Sequence, residues 1–282
     1  FNISYAGSYK EKLYLGASLG ILGVEYAKSS YYVEDNFDDN NTTVQSFNYA
    51  ENQYTSGSGI NFKVGAILKA TNNLRLGLAW HSPSLLNLKD EYETSLNVFH
   101  SLVDSAYSYS YLSPYGIYEY TVKTPMKVVA SAALVLNKSI VLSADIEVVD
   151  YTEMELKGDI EDSQIFTTQN DLIQSKYTQV VNTRLGAEVN LSPILLRAGY
   201  SNSGSPIAEY EMSDPTAEIY TDVLESYSFG IGKRSEFRYL DLAFVFSEQS
   251  KTDWLYNSNF ATPIKSIESR FDIVFTMGWK FN

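Results

Sequence analysis

The stretch NLRLGLAWHSPSLLNL, residues 73–88, alternates strictly between apolar and polar positions in its first half. Arg75 and His81 fall on one face of an extended chain. The opposite face is apolar along its whole length and carries Leu74, Leu76, Leu78 and Trp80. A strand buried inside a soluble protein rarely turns Arg and His inward. The stretch therefore predicts a strand with an apolar environment on one face and a polar environment on the other.

The same period of two recurs along the chain, most clearly at residues 140–148, 181–190, 240–247 and 271–280. About eleven strands can be counted, and most exceed the roughly 9 to 11 residues that cross a bilayer when tilted. The pattern favours an all-β fold, a transmembrane antiparallel up-and-down β-barrel with lipid outside and a polar lumen inside. The alternative is a soluble β-sandwich, but sandwich strands average about 5 to 6 residues.

Short and long connections alternate strictly between these strands, as expected of a single barrel domain over residues 1–282. Tight turns are predicted near residues 9–11, 71–73, 137–138, 192–193 and 233–236. Long loops, expected to be extracellular, are predicted near residues 29–56, 93–116, 158–176, 201–218 and 251–263.

Composition excludes several classes of function. The net charge of -13 argues against a nucleic-acid partner, because phosphate binding needs a concentrated basic surface. With no Cys and 2 His, the chain offers neither a thiolate nor a histidine-rich metal site. Apolar runs are far shorter than a membrane helix needs. We expect no cofactor.

Catalysis finds little support in the sequence, and we predict that the protein is not an enzyme. His81 is followed by Ser82, but a hydrolase needs a base oriented against the nucleophile by a third group. The stretch FGIGKRS, residues 229–235, lacks the spacing of a phosphate-binding P-loop. The other histidine, His100, falls in a predicted loop.

Several stretches together resemble the FadL/TodX family of outer-membrane transport proteins. They are KLYLGASLGILGVEY (12–26), NLRLGLAWHSP (73–83), VKTPMKVVASAALVLNKSIVLSADIEVVDYTEMEL (122–156), NTRLGAEV (182–189), LLRAGYSNSGSPI (195–207) and SYSFGIGKRSEFRYLDLAFVF (226–246). The resemblance implies a fourteen-stranded barrel, plugged by an amino-terminal hatch, in the outer membrane of a Gram-negative bacterium. It also implies passive uptake of long-chain fatty acids or other hydrophobic compounds. On this interpretation the chain is a carboxyl-terminal portion without the hatch.

The resemblance further implies that the loops at 29–56 and 93–116 form an outer groove that captures hydrophobic ligand. The candidate groove residues are Phe47, Tyr49, Tyr54, Leu96, Phe99, Leu102, Val103 and Tyr107. The spacing of Leu96, Phe99 and Val103 is helix-like and predicts one shared side. Packing of loop against loop is the alternative reason for these apolar residues. Residues 34–41, EDNFDDNN, are either a solvated acidic loop or a Ca²⁺ site.

Charged residues on the predicted lumenal face form a second candidate cluster. They are Arg75, Asp145, Glu147, Arg184, Glu188, Arg197, Asp241 and Asp272, with Lys280 near the end of the chain. Unpaired charges inside a narrow barrel are expensive, so we expect a cross-lumen network. Such a network either holds the barrel together or binds a ligand carboxylate through an Arg.

Two classes of function remain open at this point. The first is a passive transporter whose partners are hydrophobic small molecules and outer-membrane lipid. The second is a barrel of the same family that acts as a docking or assembly subunit of a larger outer-membrane or secretion complex, with loops that bind protein. The apolar stretch in the loop at 93–116 favours transport.

Overall fold

The computed structural model describes residues 1–35, 37, 43–102, 105–158, 164–207, 223–253 and 264–279. The strands are β1 (Asn2–Tyr9), β2 (Leu13–Asp35), β3 (Val44–Lys69), β4 (Leu74–His81), β5 (Leu85–Leu102), β6 (Ser105–Leu112), β7 (Gly116–Lys123), β8 (Lys127–Leu136), β9 (Ile140–Asp150), β10 (Glu155–Lys157), β11 (Gln179–Leu191), β12 (Ile194–Ser203), β13 (Leu224–Arg234), β14 (Arg238–Asp253) and β15 (Ile264–Trp279). The helix is α1 (Thr167–Lys176), and a 3₁₀ turn covers Tyr151–Glu153. No helix within the described residues is long and apolar enough to cross a membrane.

All fifteen strands belong to one antiparallel up-and-down sheet. Three pairs of them, β4 with β5, β7 with β8 and β9 with β10, each form one strand with an interruption. β6 is a hairpin arm that pairs only with β5 in the described part. The chain therefore crosses the sheet eleven times, and we call each crossing a pass. Pro83, Pro125 and the turn Tyr151–Glu153 cause the three interruptions. The predicted antiparallel β architecture is confirmed. Within the described residues the sheet is not closed, since β1 pairs only with β2 and β15 only with β14.

Side-chain hydroxyls bridge the two breaks at proline. Proline has no N–H, so a strand cannot continue its ladder through it. The Phe62 N–H donates to Ser82 Oγ at 2.9 Å, and the Ser84 N–H donates to Thr124 Oγ1 at 2.9 Å. The strands on either side of each break therefore remain joined.

The register divides the sheet into two faces, as the alternation predicts. We call one the inner face, because it carries the buried residues Thr55, Glu147, Val149, Val180, Asn182 and Leu195. The other, outer face carries exposed apolar side chains such as Leu78, Ile146 and Phe275. Exposure of many large apolar side chains, together with burial of polar residues such as Glu147 and Asn182, is unusual for a soluble protein.

The apolar outer face ends at one level across three neighbouring passes. Ile21 pairs with Ile60, and Ile60 pairs with Leu85. Beyond this level the outer face carries charges such as Glu25 and Lys89. We call the part beyond it the upper sheet (residues 22–35 of β2, 44–59 of β3, β5, β6, β7 and β10) and the remainder the lower sheet.

The upper sheet corrects two of the predicted loops. Most of residues 29–56 is strand, since β2 runs to Asp35 and pairs with Ser46 of β3. Most of residues 93–116 is the hairpin of β5 and β6. Both segments are rich in Tyr and Ser rather than Pro and Gly, and each finds a pairing partner on the neighbouring strand. The predicted loop at 158–176 contains α1, whereas much of 201–218 and 251–263 lies outside the described residues.

Candidate functional site

The apolar face changes sides at the boundary between the lower and upper sheets. Below it, apolar residues cover the outer face. Above it, they cover the inner face, which carries Tyr32, Phe47, Tyr49, Tyr92, Leu96, Val98, Tyr109, Tyr118 and Tyr120. We call these nine residues the aromatic wall. Five of them, including Tyr49 and Tyr92, are exposed, and an exposed cluster of large apolar side chains is typical of a binding site.

Ring contacts give the aromatic wall its local order. The rings of Tyr32 and Phe47 lie 5.9 Å apart, and those of Tyr118 and Tyr120 lie 6.1 Å apart. Phe166, just before α1, meets Tyr120 at 5.9 Å. Such ring pairs add to the stability that comes from burial alone.

The outer face of the same strands carries a ladder of hydrogen-bonded polar side chains beside a few exposed apolar ones. Asn97 Nδ2 donates to Asn48 Oδ1 at 2.8 Å, and the Ser110 hydroxyl donates to Asn97 Oδ1 at 2.5 Å. This ladder crosses three strands behind the aromatic wall. The upper sheet is therefore amphipathic in the sense opposite to the lower sheet.

The predicted groove residues are divided between the two faces. Phe47, Tyr49, Leu96 and Tyr107 lie on the inner face, and Tyr49 is the direct register partner of Leu96. Tyr54 and Phe99 lie on the outer face. Leu102 ends β5, and Val103 lies outside the described residues. The helix-like spacing of Leu96 and Phe99 is wrong, because in a strand two residues three apart point to opposite faces.

Asp90, whose carboxylate was not predicted as part of a site, lies on the inner face as the register partner of Tyr118 in the aromatic wall. Asp90 accepts hydrogen bonds from Thr55 Oγ1 at 2.6 Å, Gln53 Nε2 at 3.0 Å and the Tyr120 hydroxyl at 3.2 Å. Burial, together with the Asp90 charge and hydrogen bond, raises the pKa of Tyr120 to about 12. The four residues come from β3, β5 and β7, so only the pairing of distant strands reveals them.

A second polar site, Glu91 with Lys89 and Tyr115, lies on the outer face of the upper sheet. Lys89 Nζ donates to Glu91 Oε1 at 2.5 Å, and the Tyr115 hydroxyl donates to Oε2 at 2.5 Å. These hydrogen bonds lower the pKa of the Glu91 carboxyl and raise that of the Tyr115 phenol. The charges mark this surface as one that faces water.

Part of the predicted lumenal network is assembled on the inner face of the lower sheet. Arg197 donates to Glu188 at 2.7 Å and to Asp241 at 2.9 Å, and Arg234, which was not predicted, lies 2.9 Å from Asp241. Glu188, Arg197 and Asp241 border a concavity of about 450 Å³ lined by small side chains such as Ser143 and Ser228.

The other predicted charges have different partners. Glu147 accepts from Asn182 at 2.9 Å and lies 3.8 Å from Arg184. Asp272 pairs with Arg270 at 2.8 Å. Arg75 and Asp145 form no ion pair within the described residues, although Asp145 is the register partner of Arg184. Lys280 lies outside the described residues.

The residues around His81 do not form a catalytic pair. The Ser82 hydroxyl accepts the Phe62 N–H and donates to the Pro83 carbonyl at 2.9 Å, so it is occupied by the backbone. His100 lies beside Thr43 and Tyr109. No group of three or more His, Asp or Glu in the described part of the chain is placed to hold a metal ion. Most of the candidate Ca²⁺ segment at 34–41 lies outside that part.

Comparison with known proteins identifies the fold. No protein-family model matches the sequence, and no curated protein matches it significantly. The structure is similar to the CymD monoaromatic hydrocarbon channel, with a TM-score of 0.56 and 13% identity over 100% of this chain and 72% of that one. It is also similar to a deltaS2S3 mutant of the TodX monoaromatic hydrocarbon channel, with a TM-score of 0.58 and 13% identity over 99% of this chain and 69% of that one.

A third similar structure is a FadL homologue from Pseudomonas aeruginosa, with a TM-score of 0.61 and 13% identity over 98% of this chain and 66% of that one. The chain thus spans about two thirds to three quarters of these channels. Its fold is that of the FadL-type channels, as the sequence resemblance predicted.

Proposed function

We propose that this protein is an outer-membrane channel that takes up hydrophobic small molecules by a passive route. The observation that carries the proposal is the change of the apolar face from outside to inside at the row Ile21, Ile60 and Leu85. Below the row, apolar side chains cover the surface that lipid contacts in a barrel. Above it, the same kind of side chain covers the surface that a ligand meets on its way in.

The route runs along the inner face from the aromatic wall into the lower sheet. A hydrophobic ligand binds first against residues such as Tyr49 and Leu96, where burial of apolar surface stabilises it by about 25 cal/mol per Å². It then enters the concavities of the lower sheet, whose inner face is lined by small side chains. Candidate ligands are long-chain fatty acids and hydrocarbons, the latter named for two structural neighbours.

The location proposed is the outer membrane of a Gram-negative bacterium. The apolar band of the lower sheet contacts the lipid, and the upper sheet extends into the external medium. Glu25, Lys89 and Glu91 on the outer face set the upper limit of the lipid-covered band. No catalytic step is required for this role.

The test compares uptake by cells that carry variants on the two faces of the upper sheet. The double variant Tyr49→Asp, Leu96→Asp places two charges on the inner face and should lower uptake of toluene or a radiolabelled long-chain fatty acid about tenfold. The matched control is Tyr54→Asp, Phe99→Asp, which changes the same strands on the outer face. Uptake with the control should remain near that of the wild type.

The protein level in isolated outer membranes must be equal for all variants. Unchanged uptake with the inner-face variant would contradict the channel and favour a docking or assembly subunit instead. Equal losses for both double variants would mean that the upper sheet acts through its stability rather than through its inner face.

A further inference from the structure

Asp90 carries a negative charge that no described basic residue neutralises. The three hydrogen bonds that its carboxylate accepts come from an amide and two hydroxyls, which are all neutral donors. Within the described residues Asp90 forms no ion pair, whereas Glu91, its neighbour on the outer face, is paired with Lys89. Neutral donors stabilise a carboxylate but leave its charge in place. A cationic group of a ligand can therefore bind to Asp90.

The charged residues on the inner face of the upper sheet are mostly acidic. In the part that the structure describes they are Glu34, Glu51 and Asp90 against Lys28. The whole chain has a net charge of -13. A surface with an excess of one sign of charge raises the local concentration of ligands with the opposite sign. The inner face of the upper sheet therefore attracts cations.

The ring of Tyr92 lies beside Asp90 on the same face. The two residues are two positions apart on β5, which separates their Cα atoms by about 7 Å. The register partner of Tyr92 is Gly116, and a Cβ at this glycine would lie 2.3 Å from Tyr92 Cζ, so the ring covers the place that a side chain would fill. Tyr92 is nevertheless 44% exposed. Its exposed ring is available to a cation, which the face of an aromatic ring attracts.

Apolar side chains cover the inner face on the other side of Asp90, toward the lower sheet. Leu88 and Leu86 are the next two inner-face residues of β5, and each lies across a glycine of β3. Their Cδ2 atoms would be 2.7 Å from a Cβ at Gly57 and 2.5 Å from a Cβ at Gly59. The inner face thus offers apolar surface directly beside the carboxylate, as the tail of an amphiphile requires.

We propose that Asp90 and Tyr92 form a binding site for ligands that carry a protonated amine, so that the upper sheet selects hydrophobic amines over neutral compounds of equal size. The proposal rests on the hydrophobic uptake proposed above and names a class of ligand for it. The ammonium group binds to the carboxylate of Asp90 and to the exposed ring of Tyr92, while the tail lies against Leu86 and Leu88.

The test is equilibrium binding to the purified full-length protein in a neutral detergent at pH 7, with decan-1-amine, which is protonated at this pH, and decan-1-ol as matched probes. Asp90→Asn keeps the shape of the side chain and removes its charge. It should raise the Kd for the amine about tenfold, the effect of losing one charge-assisted hydrogen bond, and leave the Kd for decan-1-ol unchanged. Glu91→Gln removes a carboxylate from the outer face of the same strand and should change neither Kd.

A pair of variants at Tyr92 tests the ring separately. Tyr92→Leu keeps an apolar side chain but removes the aromatic face, and it should raise the Kd for decan-1-amine about threefold. Tyr92→Phe keeps the ring and should retain the Kd of the wild type. Equal Kd values of the amine for Tyr92→Leu and Tyr92→Phe would remove the ring from the site.

Ionic strength provides an independent measurement on the unmodified protein. Raising the salt concentration should weaken binding of decan-1-amine and not of decan-1-ol, because screening acts on the charge alone. Equal changes in the two Kd values on Asp90→Asn, or no change in either, would overturn the selection by charge while leaving hydrophobic uptake intact. A wild type that binds decan-1-ol but not the amine would have the same meaning. A wild type that binds neither probe would contradict the uptake itself.

Discussion

Asp90 sets the chemistry of its neighbours in the upper sheet. Its carboxylate accepts three hydrogen bonds from neutral donors, and one of these donors, Tyr120, has a pKa of about 12. Burial is the largest cause of this pKa, and the charge of Asp90 and its hydrogen bond add to it. Removing the carboxylate therefore removes part of the shift and leaves the part due to burial.

We predict that Asp90→Asn lowers the pKa of Tyr120 from about 12 toward its ordinary value of about 10 without reaching it. The measurement is a pH titration of ¹³C-labelled tyrosine by NMR, with Tyr120→Phe identifying the signal. Glu91→Gln is the matched control, because Glu91 lies one position along the strand on the opposite face and binds Tyr115. A Tyr120 pKa that is the same in wild type and Asp90→Asn would contradict the coupling.

The raised pKa of Tyr120 makes the free energy of unfolding depend on pH. The phenol of Tyr120 has a higher pKa in the folded than in the unfolded protein, so its contribution to stability is fully present below pH of about 10. That contribution is lost as the pH rises from about 10 to about 12. Asp90→Asn should lower the upper end of this pH range, because it lowers the pKa of Tyr120 in the folded protein.

At the scale of the strand, β14 tests the assignment of faces. Leu242 lies on the outer face opposite Phe275, and Val245 lies on the inner face opposite Asp272. We predict that Leu242→Arg lowers the free energy of unfolding by about 2 to 4 kcal/mol, the value for Arg facing lipid near the bilayer midplane. Val245→Arg places the same side chain beside a carboxylate and should destabilise less.

The measurement is reversible unfolding in urea with the full-length protein in lipid vesicles. A larger loss for Val245→Arg would mean that β14 is shifted by one residue, because a slip of one residue exchanges the faces of the whole strand. Two equal losses would mean that the two faces of β14 do not differ in environment, which would contradict a lipid-facing outer face.

The period of two was sufficient to predict the strands and their faces, since Leu78 and Arg75 alternate regardless of context. The ends of the strands were harder to predict. Tyr31 and Tyr49 lie in a segment rich in Ser, Asn, Asp and Glu that favours a loop, yet they belong to paired strands, because cross-strand contacts outweigh local composition. The spacing of Leu96, Phe99 and Val103 suggests a helix, but three apolar residues are too few to distinguish a helix from a strand, and Phe99 lies on the face opposite Leu96. The cluster around Asp90 depends on register between distant strands, which no local pattern contains.

At the scale of the molecule, the number of passes limits how the sheet closes. Neighbouring strands of an up-and-down barrel are antiparallel, and such barrels have an even number of strands. The eleven passes of the described residues place β1 and β15 in the same direction, so they cannot pair antiparallel with one another. Closing the barrel requires an odd number of further strands, and three would give the fourteen that the family resemblance implies.

Disulfide trapping in the full-length protein tests this geometry, and the absence of Cys from the sequence gives a clean background. The pair Ser4→Cys, Ser18→Cys should form a disulfide, because the two residues are register partners and their hydroxyl oxygens lie 2.9 Å apart. The pair Ala6→Cys, Val274→Cys joins β1 to β15 and should not form one, since at least one further strand separates them. Trapping of this second pair in native outer membranes would mean that β1 and β15 meet directly, and the barrel would then be smaller than its structural neighbours and have an odd number of strands.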